Sequence, residues 1–164
     1  MDRMLELNAD SAAPMHGKLL PDRIGVGGLS LGGATTYGVA FNDCCRDDRV
    51  KAVEVLSGAQ LPVGGEYKLD GHVPLLIMHG DKDPALPYKM EADGYAKAVG
   101  PVWFVTLIGG GHAEPFEDFP SAYDALDEKL TTDFWMGTLG HDPEALARVT
   151  ADGTVPGLAS IESK

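Results

Sequence analysis

Four short apolar runs recur along the chain, at residues 23–28, 50–56, 73–79 and 102–108, and the last two are nearly continuous. Uninterrupted runs of this length mark strands covered on both faces, as in a parallel sheet, whereas strict alternation would mark a sheet with one wet face. Between the runs the period changes. Residues 31–42 and 88–99 read as helices, the second weakened by Gly94. Farther on, Tyr123, Leu126, Leu130 and Phe134 recur at spacings of three and four, which gives one apolar helical face. Ser121, with Asp124 three residues later, resembles a capping box at its start. Asp142-Pro143 opens a short terminal helix, with aspartate at the cap and proline at the first helical position. Residues 2–8 read as a short helix before a loop carrying Pro14, Gly17 and Pro21, and the tail beyond Ala151 reads as loosely ordered. Strands alternating with helices predict an α/β layered sheet, and no internal repeat or low-complexity stretch divides residues 1–164, so one domain is expected.

Composition narrows the partners. The 164 residues are 44% hydrophobic, enough for a real core, and 13 basic against 25 acidic side chains leave a net charge of −12. That balance repels phosphate backbones and anionic membrane surfaces, so no nucleic-acid partner is expected. No apolar run approaches the roughly 18 residues of a membrane span. The start Met1-Asp2-Arg3-Met4-Leu5-Glu6 lacks the basic and apolar stretches of a secretory signal, which leaves the compartment open. The two cysteines, Cys44 and Cys45, are adjacent, and two thiols near a helix end are expected rather than a fold-stapling bridge.

The chemistry concentrates in Gly28-Leu29-Ser30-Leu31-Gly32, where the first strand meets the first long helix. A serine on a sharp strand-to-helix turn exposes its Oγ, and small residues two before and two after it let strand and helix approach closely. Other uses of a glycine-rich turn fail on spacing. A dinucleotide fingerprint from Gly25 and Gly27 needs its third small residue where Ser30 stands, and a phosphate-binding loop from Gly27 to Gly32 needs lysine where Gly33 stands. A serine hydroxyl is a poor nucleophile near neutral pH and needs a histidine to take its proton and an acid to orient that histidine. Asp81 and Asp83 lie just beyond the third strand in His79-Gly80-Asp81-Lys82-Asp83, and His112 lies just beyond the fourth after Gly109-Gly110-Gly111. In a parallel sheet the C-terminal strand ends share one edge, so these groups converge there.

The serine turn, the acid turn and the Gly111-His112 loop, in the order Ser, Asp, His, resemble the C-terminal half of an α/β-hydrolase, similar to dienelactone-hydrolase-like and polyester or lipid esterases. The resemblance covers the chain from Arg23 onward. It implies a three-layer parallel sheet flanked by helices, with Ser30 as nucleophile, His112 as general base and Asp83, the second of the acidic pair, as the acid. It also implies the Leu31 backbone N–H as an oxyanion donor, and neither cofactor nor metal. Dienelactone hydrolases proper carry cysteine at the Ser30 position, and haloalkane dehalogenases carry a carboxylate there. The implied activity is therefore a serine hydrolase cleaving carboxylic esters, small or polymeric, through an acyl-enzyme. His79 is expected to be structural at a strand end, and His16, His72 and His141 to be solvated in loops. Glu114 has no metal-ligand spacing around it, and Trp103, Phe104, Phe134 and Trp135 read as core.

Such a fold has strands before the serine turn and an early loop that supplies a second oxyanion N–H, yet only residues 1–22 precede the first strand here. An N-terminally truncated domain is expected, with the strand at 23–28 left as an edge that could pair with a second copy. The alternative to an esterase is an inactive fragment, or a non-catalytic binding or assembly module that uses this edge.

Overall fold

The computed structural model describes residues 1–117 and 120–164. Its centre is a sheet of β1 (Ile24–Leu29), β2 (Val50–Leu56), β3 (Leu75–Gly80), β4 (Val102–Leu107) and β5 (Ala159–Ser163), in that spatial order. The first four strands pair in parallel, with Val53 beside Leu75 and Leu75 beside Val102, while β5 runs antiparallel to β4. The helices are α1 (Asp2–Ala9), α2 (Leu31–Phe41), α3 (Tyr88–Lys97), α4 (Asp124–Thr138) and α5 (Pro143–Asp152). Helices cover both faces, giving the three layers of an α/β-hydrolase-type sheet.

Successive side chains of a strand point to opposite faces, so each apolar run feeds two cores. Val53, Val55, Ile77 and Phe104 pack with Tyr37 and Phe41 of α2 and Tyr95 of α3. Ala52, Leu76, Met78 and Val105 pack with Leu126, Leu130 and Phe134 of α4 and Val149 of α5. Trp103 and Phe104 are buried as expected, and Trp135 is partly buried against the second core. Among the described residues β1 is bonded on one side only, so it is the sheet edge that the sequence led us to expect.

Three local expectations are corrected. The tail is not loosely ordered: Ala159 and Ile161 alternate with Ser160 and Glu162, the pattern of a strand with one covered face, and Ile161 lies against Val105 in register. Its polar composition hid that pattern. Ser121 is not the N-cap of α4, which begins at Asp124; its amide donates to Asp124 Oδ2 at 3.0 Å, tying the approach to the helix instead. By contrast, Asp142 caps α5 and accepts the Glu144 and Ala145 amides. Cys44 and Cys45 are joined as a disulfide, in a turn where Asn42 Oδ1 accepts the Cys44 amide. His72 is exposed as expected, with Nδ1 in contact with Asp70 Oδ1 and Nε2 3.2 Å from the Ala40 carbonyl, and its ring meets Phe41 edge-on.

Two buried acids make stability depend on pH. Glu91 accepts the Tyr37 hydroxyl at 2.6 Å between α2 and α3, and Glu54 of β2 accepts Thr131 Oγ1 at 2.6 Å and Trp135 Nε1 at 3.2 Å beneath α4. Burial outweighs these hydrogen bonds and raises each carboxyl from 4.5 to about 7. Because the folded-state value is the higher one, their contribution is fully present below about 4.5 and is lost as pH rises to and through about 7. Chemical denaturation at pH 5 and pH 8 is expected to show the loss, on the order of 1–3 kcal/mol per group, and Glu91→Gln to reduce it. An unchanged pH dependence in Glu91→Gln would refute that assignment.

Candidate active site

Ser30 follows β1 directly, and its backbone, at φ 57° and ψ −117°, turns the strand into α2. That conformation is strained for a residue with a side chain and is held from both sides. The Ser30 amide donates to the Leu56 carbonyl of β2 at 2.9 Å, and the Ser30 carbonyl accepts from Ala34 at 3.0 Å in the first turn of α2. The strand and helix approach most closely at Gly28, where a Cβ would lie 2.5 Å from the Gly32 carbonyl carbon. A Cβ on Gly32 itself would meet open space, so the close approach requires glycine at 28, not at 32. Leu31 opens α2 with its side chain 71% exposed, and the first-turn amides of a helix have no partner within it.

The loop after β3 brings Asp83 to the same sheet edge. Its side chain is fully enclosed, and Oδ1 accepts the amides of Ala85 at 2.7 Å and Leu86 at 2.8 Å. Burial alone would raise this carboxyl, but the hydrogen bonds from His112 and from the Leu86 and Ala85 amides outweigh it and hold it below the usual range. The loop after β4 carries His112, with Nδ1 2.7 Å from Asp83 Oδ2 and Nε2 2.7 Å from Ser30 Oγ. Partner chemistry assigns the tautomer: Nδ1–H donates to the carboxylate, and Nε2 accepts the serine hydroxyl.

Asp81, the other member of the acidic pair, faces away from His112. Its Oδ1 accepts the Gly109 amide at 2.8 Å, the Asp81 amide donates to the Leu107 carbonyl at 3.0 Å, and the Lys82 amide donates to Gly110 at 3.0 Å. The acid turn and the histidine loop are thereby joined along their backbones. Tyr123, just before α4, completes the seam by donating its hydroxyl to the Ile108 carbonyl at 2.8 Å, a contact that its place in the apolar spacing did not signal. Glu114 Oε2 accepts the Gly111 amide at 3.3 Å and so holds the histidine loop. His79 is fully enclosed at the end of β3, as a structural residue would be, but it also touches Asp83, which the sequence did not reveal. His16, bonded to the Asn8 carbonyl, His72 and His141 lie outside this constellation. Among the described residues no group of three or more His, Cys, Asp or Glu side chains is placed to hold a metal, and no helix is long and apolar enough to cross a membrane.

This arrangement joins a hydroxyl, an imidazole and an ionised carboxylate in one hydrogen-bonded line at a helix start. Over 135 residues the chain is 29% identical to acyl-protein thioesterase 1 of Neurospora crassa. The alignment takes in 77% of this chain and 52% of that protein, so the chain spans about half the length of the curated relative it matches. No protein-family model matches the sequence.

Proposed function

We propose that the chain is a serine hydrolase of carboxylic esters and thioesters working through an acyl-enzyme. The observation that carries this reading is the unbroken line from Ser30 Oγ through His112 to Asp83, with both links at 2.7 Å. Ser30 Oγ bonds to the acyl carbon while its proton passes to His112 Nε2, and the buried Asp83 carboxylate stabilises the imidazolium formed. The carbonyl oxygen becomes an oxyanion, with the Leu31 amide as one donor at the start of α2. His112 then protonates the departing alcohol or thiol. In the second half-reaction it takes a proton from water, whose oxygen attacks the acyl carbon, and the acid leaves as Ser30 recovers its proton. The likeness to a protein named as a thioesterase widens the substrate class from esters to thioesters. The proposal covers residues 1–164 as one domain of α/β-hydrolase type.

Treatment with a fluorophosphonate probe is the test, because the probe phosphonylates a serine whose proton has an acceptor, with fluoride as the leaving group. A covalent adduct mapped to Ser30, together with turnover of p-nitrophenyl butyrate and a butyryl thioester, is the expected result. An unreactive Ser30 in a folded chain would refute the proposal.

One observation favours a second reading, an assembly module. The open edge of β1 is flanked by a cavity of about 650 Å³ lined by Met4, Leu20, Ile24, Trp135, Met136 and Leu139. An apolar cavity beside unpaired strand groups suits an added strand, including one from a second copy. Concentration-dependent association in analytical ultracentrifugation, with an inert Ser30, would favour that reading over the enzymatic one.

A further inference from the structure

His79 holds a place at the site that neither its position in β3 nor the line of three groups accounts for. Its side chain is completely enclosed, with Nε2 2.9 Å from the Leu86 carbonyl and 3.2 Å from Asp83 Oδ2. Among the described residues Nδ1 has no hydrogen-bond partner. A buried N–H without an acceptor is costly, so the ring proton sits on Nε2 and is donated to the Leu86 carbonyl. Burial also holds the imidazole below its ordinary pKa against the opposing pull of the Leu86 carbonyl and Asp83, so at neutral pH the ring is an uncharged donor. Three groups face it from the surrounding elements: Asp83 from the acid turn, His112 from the loop after β4, and Tyr88 from α3, with ring centroids 6.1 Å apart. The Tyr88 hydroxyl is occupied with Thr106 Oγ1 at 2.6 Å, which leaves the ring of Tyr88 as a packing surface.

Asp83 Oδ1 takes the Ala85 and Leu86 amides, Oδ2 takes His112 Nδ1–H, and His79 Nε2 stands 3.2 Å from Oδ2. We infer that His79 is a positioning residue for the proposed hydrolase: its Nε2–H holds the Leu86 carbonyl, and with it the acid turn whose amides bind Asp83, while the ring packs against Oδ2 and keeps the carboxylate facing His112. The same donor ties Leu86 to the end of β3, so the acid turn is anchored to the strand. The inference rests on the hydrolase reading, since only there does the placing of Asp83 set a rate.

Without the His79 donor the Leu86 carbonyl is left unpaired and the acid turn loosens from β3, which lets the Asp83 carboxylate turn away from His112. The experiment compares His79→Leu, which fills space without a donor, with His79→Gln, whose side-chain amide can reach the Leu86 carbonyl. Proton NMR of the intact chain reads the downfield His112 Nδ1–H resonance, which reports the bond to Asp83, and thermal melting establishes that each variant is folded. In His79→Leu that resonance is expected to move upfield, and kcat to fall about tenfold with KM unchanged. His79→Gln is expected to stay near the parent in both. A resonance that moves in neither folded variant, or moves equally in both, would overturn the inference. The resonance needs no turnover. A shifted resonance in a chain whose Ser30 is inert to the fluorophosphonate would refute the hydrolase reading while leaving the link from His79 through Asp83 to His112 measured.

Discussion

Ester turnover by Asp83→Asn is expected to fall by about 10⁴-fold, and that by Ser30→Ala by about 10⁴- to 10⁶-fold, with little change in melting temperature for the serine variant. The two losses have different causes. Alanine at 30 removes the atom that bonds to the acyl carbon, and among the described residues Ser30 Oγ has one side-chain partner, His112, so little else changes. Asparagine at 83 keeps the shape but replaces one carboxylate oxygen with an amide that cannot accept. Oδ1 must still accept the Ala85 and Leu86 amides, so the new NH₂ takes the Oδ2 position and faces His112 Nδ1. The imidazole then satisfies that donor by moving its proton to Nε2, and a protonated Nε2 cannot take the proton of Ser30. Steady-state kcat/KM with p-nitrophenyl butyrate measures both. Equal rates for Asp83→Asn and the parent would remove Asp83 from the mechanism. Asp81→Asn is the matched control, because Asp81 meets the Gly109 amide rather than the imidazole, and it is expected to retain most of the activity.

Gly80→Ala is expected to destabilise the fold by about 3 kcal/mol and to lower turnover about 100-fold, though residue 80 has no side chain at the site. A Cβ there would lie 2.2 Å from the Gly110 carbonyl oxygen and 2.3 Å from that of Gly111. Both are backbone atoms and cannot rotate away. The acid turn and the histidine loop would have to separate, breaking the bond from the Lys82 amide to Gly110 and moving His112 off its 2.7 Å contacts. A shift of about 1 Å at such a site costs on the order of 100-fold in rate even where the chain stays folded. Urea denaturation gives the stability change, and kcat/KM at a temperature where the variant is folded gives the rate. Wild-type stability and rate together would show that the two loops do not depend on their close approach at Gly80.

Residue pattern alone located β2 at 50–56 and β4 within a residue, because those runs are apolar on both faces. It also put Ser30, the pair Asp81 and Asp83, and His112 beyond strand ends of a parallel sheet and so at one edge, while the choice of Asp83 within the pair was what the resemblance implied. The fifth strand escaped detection. Ala159–Ser163 is mostly polar, and its strand character comes from pairing with β4 rather than from its own propensity.

The sequence by itself therefore determined the α/β class and the strand ends on which the candidate side chains stand, since both follow from local apolar period and chain order. Only the tertiary structure decided that Asp83 rather than Asp81 faces His112, that Gly80 sets the approach of the two loops, and that His79 reaches the carboxylate from behind. Those are distances of 2 to 4 Å between segments separated along the chain, and they are fixed by how strands pair and loops pack, which no residue's own preference specifies.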